Sequence, residues 1–135
     1  MRWLLTIILL VQMPVSLGAD YAVVVAQNSS ITMMELDKIR DVFLKRRSFE
    51  GGIKLIPVNP LGSDPVRLQF EMSVLGMERD EIDRFWTTSH FQGVSPPTTQ
   101  ASLTSIKRFV ERVEGAIGYM PINMVDDQVR VLHEF

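Results

Sequence analysis

The sequence predicts an α/β domain with a mostly parallel sheet flanked by helices, and three observations support this fold class. Short β-branched runs alternate with longer segments of helical periodicity between Tyr21 and Leu132. The first run, YAVVVA at Tyr21–Ala26, is apolar throughout, as are strands that are covered on both faces in parallel sheets. The chain has 135 residues and no internal repeat, which predicts a single domain.

Residues 1–19 are predicted to be a secretory signal peptide, which leaves residues 20–135 as the domain. Arg2 precedes a short apolar run, and small residues ending in Gly18 and Ala19 follow it. This order is typical of a secretory signal, and the run is shorter than the roughly 20 apolar residues that a membrane span needs. Cleavage after Ala19 or after Gly18 predicts a periplasmic protein.

Composition excludes several classes of function. The chain has no cysteine, which excludes thiolate catalysis, Cys-ligated zinc and disulfides. Its formal net charge of −2 gives no electrostatic reason to expect nucleic-acid binding. His90 and His133 are far apart in sequence and lack carboxylates at ligand spacing, so we expect no metal site. No nucleophile elbow or paired base is present, and we therefore expect neither an enzyme nor a cofactor.

The first half of the domain carries clear start signals for its elements. After the first strand, Thr32 and Glu35 have the spacing of a capping box, which predicts a helix running to about Leu44. Ile53–Val58 is predicted to be the second strand because it is short, apolar and preceded by two glycines.

The second half is predicted to contain three helices and two strands, because apolar residues recur at helical spacing in some segments and continuously in others. Val66, Phe70 and Val74 illustrate the helical spacing. The predicted elements are a helix from Pro65 to Gly76, a helix from Glu78 to His90, a loop from Gln92 to Gln100, a helix from Ser102 that ends at Gly115, and strands at Ala116–Met120 and Val129–Leu132.

Four phrases along the chain resemble those of a known family. They are LDKIRDVFLKRRSFEGG (36–52), IPVNP (56–60), FEMSVLGMERDEIDRFWTTSHFQG (70–93) and SPPTTQASLTSIKRFVERVEGAIGYMP (95–121). Their order is similar to one lobe of a type II periplasmic binding protein, in particular a PstS-like phosphate ABC transporter substrate-binding protein. The chain is long enough for one of that family's two lobes. The resemblance implies a single three-layer lobe of this fold that binds an oxyanion, usually phosphate.

The resemblance also implies an oxyanion site in the loop before the Pro65 helix. Larger phosphate binders hold the anion in a Gly-Ser-Gly-Thr-Arg-like turn, and Gly62, Ser63 and Arg67 match that turn here. Gly62 permits a close backbone approach, Ser63 offers a hydroxyl, and Arg67 can pair bidentately with an oxyanion. Asp64 and Pro65 depart from the pattern. They are typical of a helix that caps itself with its own carboxylate and leaves Arg67 on the surface, so both interpretations remain open.

Ser29 and Ser30 are two further candidate ligands. They follow the first strand, at the carboxyl edge where α/β sheets bind ligands. They either join the oxyanion site or serve as turn residues before the next helix.

Two functions follow from this sequence analysis. The first is an exported oxyanion-binding module with a solute-binding role in ABC-type phosphate uptake. The second is a periplasmic interaction or sensor-partner module of the same fold that has lost ligand binding. Such a module docks on a membrane transporter or envelope protein, or pairs with itself as a homodimer, because an isolated lobe exposes apolar surface.

Overall fold

The alternating apolar segments form a mixed sheet flanked by helices in a computed structural model, which describes residues 18–135. The first 17 residues of the predicted signal peptide lie outside the described residues. The strands are β1 (Tyr21–Ala26), β2 (Phe49–Glu50), β3 (Ile53–Lys54), β4 (Ile56–Asn59), β5 (Thr98–Thr99), β6 (Ala116–Pro121) and β7 (Val129–Glu134). The helices are α1 (Leu36–Phe43), α2 (Pro65–Phe70), α3 (Arg79–Phe91) and α4 (Leu103–Arg112), with a π-helical segment at Glu71–Leu75 and a 3₁₀ turn at Ile122–Met124.

The main sheet has five strands in the order β5-β4-β6-β1-β7, and β2 and β3 form a separate hairpin. β4 pairs parallel with both β5 and β6, whereas β1 pairs antiparallel with both β6 and β7. Four of the five strands therefore run in one direction. This confirms the predicted α/β class but corrects the direction of β1. Its apolar sequence indicates that β1 is buried on both faces. A strand can be buried in this way whether it runs parallel or antiparallel to its neighbours, so the sequence does not reveal its direction.

The helices cover both faces of the sheet, so the core has two halves. Successive side chains of a strand point to opposite faces, and β1 contributes Val23 and Val25 to one half and Ala22 and Val24 to the other. The first half includes the buried residues of α1 and α2, and the second includes those of α4. This is the predicted three-layer arrangement.

The predicted capping box of Thr32 and Glu35 is wrong. α1 begins immediately after Glu35, which is the N-cap residue but makes no side-chain cap hydrogen bond. Arg130 of β7 donates from Nη1 to the carbonyls of Ser29 (2.7 Å) and Ile31 (3.1 Å). These hydrogen bonds hold residues 29–31 against β7. The helix α1 therefore starts only after the chain has left β7.

The predicted strand Ile53–Val58 is divided between two sheets. The Leu55 amide donates to the Ser48 carbonyl in the hairpin, and the next amide, of Ile56, donates to the Gly115 carbonyl beside the main sheet. The chain therefore crosses from one sheet to the other within a single apolar run, which the sequence pattern does not report.

Gly115 does not occupy the predicted position at the end of α4. The C-cap residue is Val113, which is extended (φ −110°, ψ 115°), so Gly115 lies two residues beyond it. Gly115 has φ +85°, and a Cβ atom there would stand 2.0 Å from the Lys54 carbonyl oxygen. The glycine is required by this close approach between backbones.

Within residues 18–135, no helix is both long enough and apolar enough to cross a membrane.

Candidate functional site

The loop at 60–64 joins the carboxyl end of β4 to the start of α2 and contains two of the predicted oxyanion ligands. Gly62 is half-buried in it, and Ser63 is exposed. The loop turns through a hydrogen bond from the Asp64 amide to the Leu61 carbonyl (2.9 Å). Because β4 runs parallel to β5 and β6, the loop lies at the edge of the sheet where parallel strands present their carboxyl ends.

Every backbone N–H group at the start of α2 already donates a hydrogen bond, and one residue there has no N–H group. Asp64 Oδ1 accepts a hydrogen bond from the Val66 amide at 2.9 Å. The Asp64 carbonyl accepts from the amides of Arg67 (3.0 Å) and Leu68 (3.2 Å), and Pro65 has no N–H. The first turn of α2 therefore offers no free amide to an anion, and the Asp64 carboxylate stands where an anion would bind.

Arg67 lies beside this loop, but its side chain is directed into the protein. Its side chain is 15% exposed, which differs from the expected surface position. Nη1 donates to the Pro60 carbonyl at 3.1 Å, and Nε lies 3.7 Å from Glu71 Oε1. The guanidinium therefore fastens the start of the loop to the end of α2.

Arg79 is a component of this site that the sequence analysis missed. Its Nη2 donates to the Gly62 carbonyl at 2.7 Å and lies 2.7 Å from Glu71 Oε1. Its Nη1 comes within 3.3 Å of the position that a Cβ atom at Gly62 would occupy. Arg79 is the first residue of α3, so the turn at Gly76 brings it back over the loop. The glycine between two helical patterns was the only sequence signal of this return.

Glu71 is the buried acid that both arginines share. Only 4% of the residue is exposed, and this burial raises the pKa of its carboxyl above the ordinary value, while Arg79 and Arg67 oppose the rise. Two guanidinium groups thus flank the Glu71 carboxylate, while the Asp64 carboxylate caps the start of α2. The two arginines and these two carboxylates carry no net formal charge between them.

The Asn59 side chain at the end of β4 also has a hydrogen-bond partner within the protein. The Tyr119 hydroxyl donates to Asn59 Oδ1 at 2.8 Å, and both residues are buried. Burial raises the pKa of Tyr119, so the phenol stays protonated and acts as a donor. Its ring stacks on Phe70 of α2 with centroids 3.8 Å apart. This pair fixes α2 against β6 and gives the loop a rigid base.

Ser29 and Ser30 lie at the opposite edge of the sheet from Gly62. They follow the carboxyl end of β1, and β1 runs antiparallel to β6, so that end lies level with the amino ends of β6 and β7. Ser29 is buried, and its Oγ accepts a hydrogen bond from the Ile31 amide at 3.1 Å. Ser30 is exposed beside Glu50. The structure brings together Gly62, Ser63 and Arg67 but leaves the two serines apart from them.

Among the described residues, no group of three or more His, Cys, Asp or Glu side chains has the geometry to hold a metal ion.

Comparison with solved structures identifies the class of fold. A protein from Clostridium perfringens, described as a phosphate ABC transporter substrate-binding protein with bound phosphate, superposes with a TM-score of 0.68 at 18% identity, covering 84% of this chain and 44% of its own. An ABC-type phosphate transport receptor from Vibrio cholerae gives a TM-score of 0.64 at 18% identity, covering 85% and 46%. PstS from Borrelia burgdorferi gives 0.61 at 9% identity, covering 84% and 46%.

These likenesses establish the fold, which is that found in phosphate ABC transporter substrate-binding proteins. The chain spans less than half the length of each of these structures. No protein-family model and no curated protein sequence matches it.

Proposed function

We propose that this protein is an exported, phosphate-binding-protein-like lobe that acts as an interaction module and fills its own anion position. The observation that carries the proposal is the cap on α2, where Asp64 Oδ1 accepts from the Val66 amide. The neighbouring amides donate to the Asp64 carbonyl. The first turn of α2 therefore has no free amide to offer an anion.

The electrostatics favour this function over anion capture. An anion at the start of α2 would stand about 4–6 Å from the Asp64 carboxylate, which costs roughly 1–4 kcal/mol depending on the local dielectric. A helix N-terminus returns only about 0.3–2 kcal/mol. Arg67 and Arg79 offset only part of this cost, because both lie beside the Glu71 carboxylate.

The docking face that we propose surrounds this loop. Leu61 in the loop, Leu68 on α2 and Met72 in the π-helical segment are large apolar side chains with exposed fractions of 47%, 45% and 68%. Leu68 and Met72 are four residues apart and share a helix face. The occupant that we propose is a second copy of this chain, because the matching solved structures are nearly twice as long and a second copy supplies comparable length.

Sedimentation velocity of the purified protein tests this pairing. We expect a concentration-dependent dimer, which Leu68→Asp and Met72→Asp each convert to a monomer. Met33→Asp is the matched control, since Met33 is 81% exposed but lies outside this face, and it should leave the dimer intact. A wild-type monomer at high concentration would contradict self-pairing and would favour a transporter or another envelope protein as the partner.

A second candidate function is capture of phosphate or a similar oxyanion for an ABC-type transporter. It is favoured by the matching structure from Clostridium perfringens, which is described with bound phosphate. Gly62, Ser63 and Arg67 would then be the ligands, with Arg79 beside them. This function requires Asp64 to leave the Val66 amide or to accept a proton from the bound phosphate.

A further inference from the structure

A cleft between the end of α1 and α3 is lined by residues outside the anion loop. It has a volume of about 660 Å³, which is within the usual range of about 300–1,000 Å³ for small-molecule sites. Leu44, Met77, Phe85 and Val94 supply apolar lining.

Three of the seven polar side chains that line this cleft are cationic, and three are uncharged. Lys45 and Arg46 come from the end of α1, and Arg84 comes from α3. Glu81 is the one acidic residue among those lining the cleft. The cleft therefore combines three cations and one carboxylate with an apolar surface.

Lys45 has an unusual backbone conformation. It is the one non-glycine residue of the described chain with positive φ (60°). Its amide donates to the Val42 carbonyl, and the following amide, of Arg46, donates to the Asp41 carbonyl. This is the hydrogen-bond pattern that ends a helix with a left-handed residue, a position where glycine is strongly preferred. A lysine there carries backbone strain that a glycine would not.

The cations of the cleft have weak partners within the protein. Arg46 lies 4.0 Å from Asp41, and Arg84 lies 3.4 Å from Asp80, with all four side chains largely exposed. Among residues 18–135, Lys45 has no carboxylate within ion-pair distance. By contrast, the adjacent Arg47 is fully engaged with a carboxylate of the hairpin at 2.8 Å.

One aromatic ring joins the basic and apolar parts of the cleft. The Arg46 guanidinium lies 5.3 Å from the centroid of the Phe85 ring, within the distance of a cation–π contact. A planar or aliphatic group placed against Phe85 would thus lie beside a guanidinium. This pairing suits a molecule with an apolar body and a negatively charged head.

We propose that this cleft binds a small organic anion, with its acidic group on Lys45, Arg46 and Arg84 and its apolar body against Phe85. The glycine-preferring position is occupied by lysine because the ammonium contributes to this binding. The site is separate from the Gly62 loop, so the inference does not depend on whether that loop holds an anion.

Fluorescence titration of the purified protein with 8-anilino-1-naphthalenesulfonate, an aromatic anion, tests the proposal. We expect saturable binding that the double variant Lys45→Gly/Arg84→Gln weakens at least tenfold. Lys45→Gly relieves the strained φ, and Arg84 makes only an exposed pair with Asp80, so the double variant should remain folded. N-phenyl-1-naphthylamine, a similar molecule without the sulfonate, should bind weakly and equally to both proteins.

The matched control is Lys54→Gln/Arg108→Gln, which removes two exposed cations outside the cleft. It should bind the sulfonate like wild type. The proposal is overturned if the sulfonate does not bind or if the uncharged molecule binds as tightly. It is also overturned if the cleft variant and the control variant lose affinity to the same extent.

Discussion

The Arg79 guanidinium lies 2.7 Å from the buried Glu71 carboxylate and at the same time donates to the Gly62 carbonyl. One side chain therefore ties the start of α3 to the end of α2 and to the candidate oxyanion loop. Glu71 has little access to water, so its charge depends on the two nearby arginines. This relationship holds the loop against α2 and α3 through contacts within the protein.

Arg79→Ala should lower the free energy of unfolding by about 1–3 kcal/mol, the usual cost of leaving a buried polar group without its partner. Urea denaturation measures the loss. Arg84→Ala is the control, since Arg84 pairs with Asp80 on the exposed surface and such pairs contribute at most about 1 kcal/mol. Equal small losses in both variants would show that Arg79 does not support the buried carboxylate.

The stability of the protein should carry a pH-dependent contribution from Glu71. Burial raises the folded-state pKa of Glu71 above its ordinary value of 4.5, so the folded protein binds this proton more tightly than the unfolded chain. The contribution is fully present below the ordinary pKa and is lost as pH rises through the folded-state pKa. Unfolding of wild type and Glu71→Gln, compared from about pH 4 to about pH 8, should show the variant gaining relative to wild type as pH rises. A difference in unfolding free energy that does not change with pH would contradict the raised pKa of Glu71.

Gly115→Ala should be far more destabilising than Gly76→Ala, although both glycines have positive φ. A left-handed alanine costs roughly 1–2 kcal/mol, which is the whole effect expected at Gly76, where a Cβ atom would meet nothing within 4 Å. At Gly115 the Cβ atom would also collide with the Lys54 carbonyl, and we expect a loss of about 4 kcal/mol or more. Circular dichroism during urea titration measures the loss of unfolding free energy in both variants. A similar loss in the two would contradict this prediction and would show that the backbones at Gly115 and Lys54 can separate.

The fold could be predicted from the sequence because burial periodicity alone places most of its elements. The apolar run of β1, the stripe of α2 and the cap of α4 at Ser102 are local signals, and the structure contains all three. The direction of β1 and the division of Ile53–Val58 could not be predicted, because they depend on strand pairing between distant segments.

The distance in sequence between contacting residues also decides which parts of the site could be predicted. The cap by Asp64 on the Val66 amide involves residues two apart, and the sequence pattern indicated it. The contact of Arg79 with Gly62 spans 17 residues and depends on how α3 folds back over α2. Likewise, nothing local reveals that the antiparallel β1 separates Ser29 from the Gly62 loop.

Occupation of the anion position by Asp64 distinguishes the two proposed functions. Asp64→Asn isolates the charge, because asparagine caps a helix about as well as aspartate but carries no charge. The melting temperature, Tm, should be measured for wild type, Asp64→Asn and the double variant Asp64→Asn/Arg67→Ala. Low-millimolar phosphate should be compared with chloride at matched ionic strength, because excluded salts also raise stability.

We predict that phosphate leaves the Tm of wild type unchanged, raises the Tm of Asp64→Asn, and has less effect once Arg67 is also removed. A phosphate-dependent rise in wild-type Tm that Arg67→Ala abolishes would contradict the account and would establish oxyanion capture at the Gly62 loop.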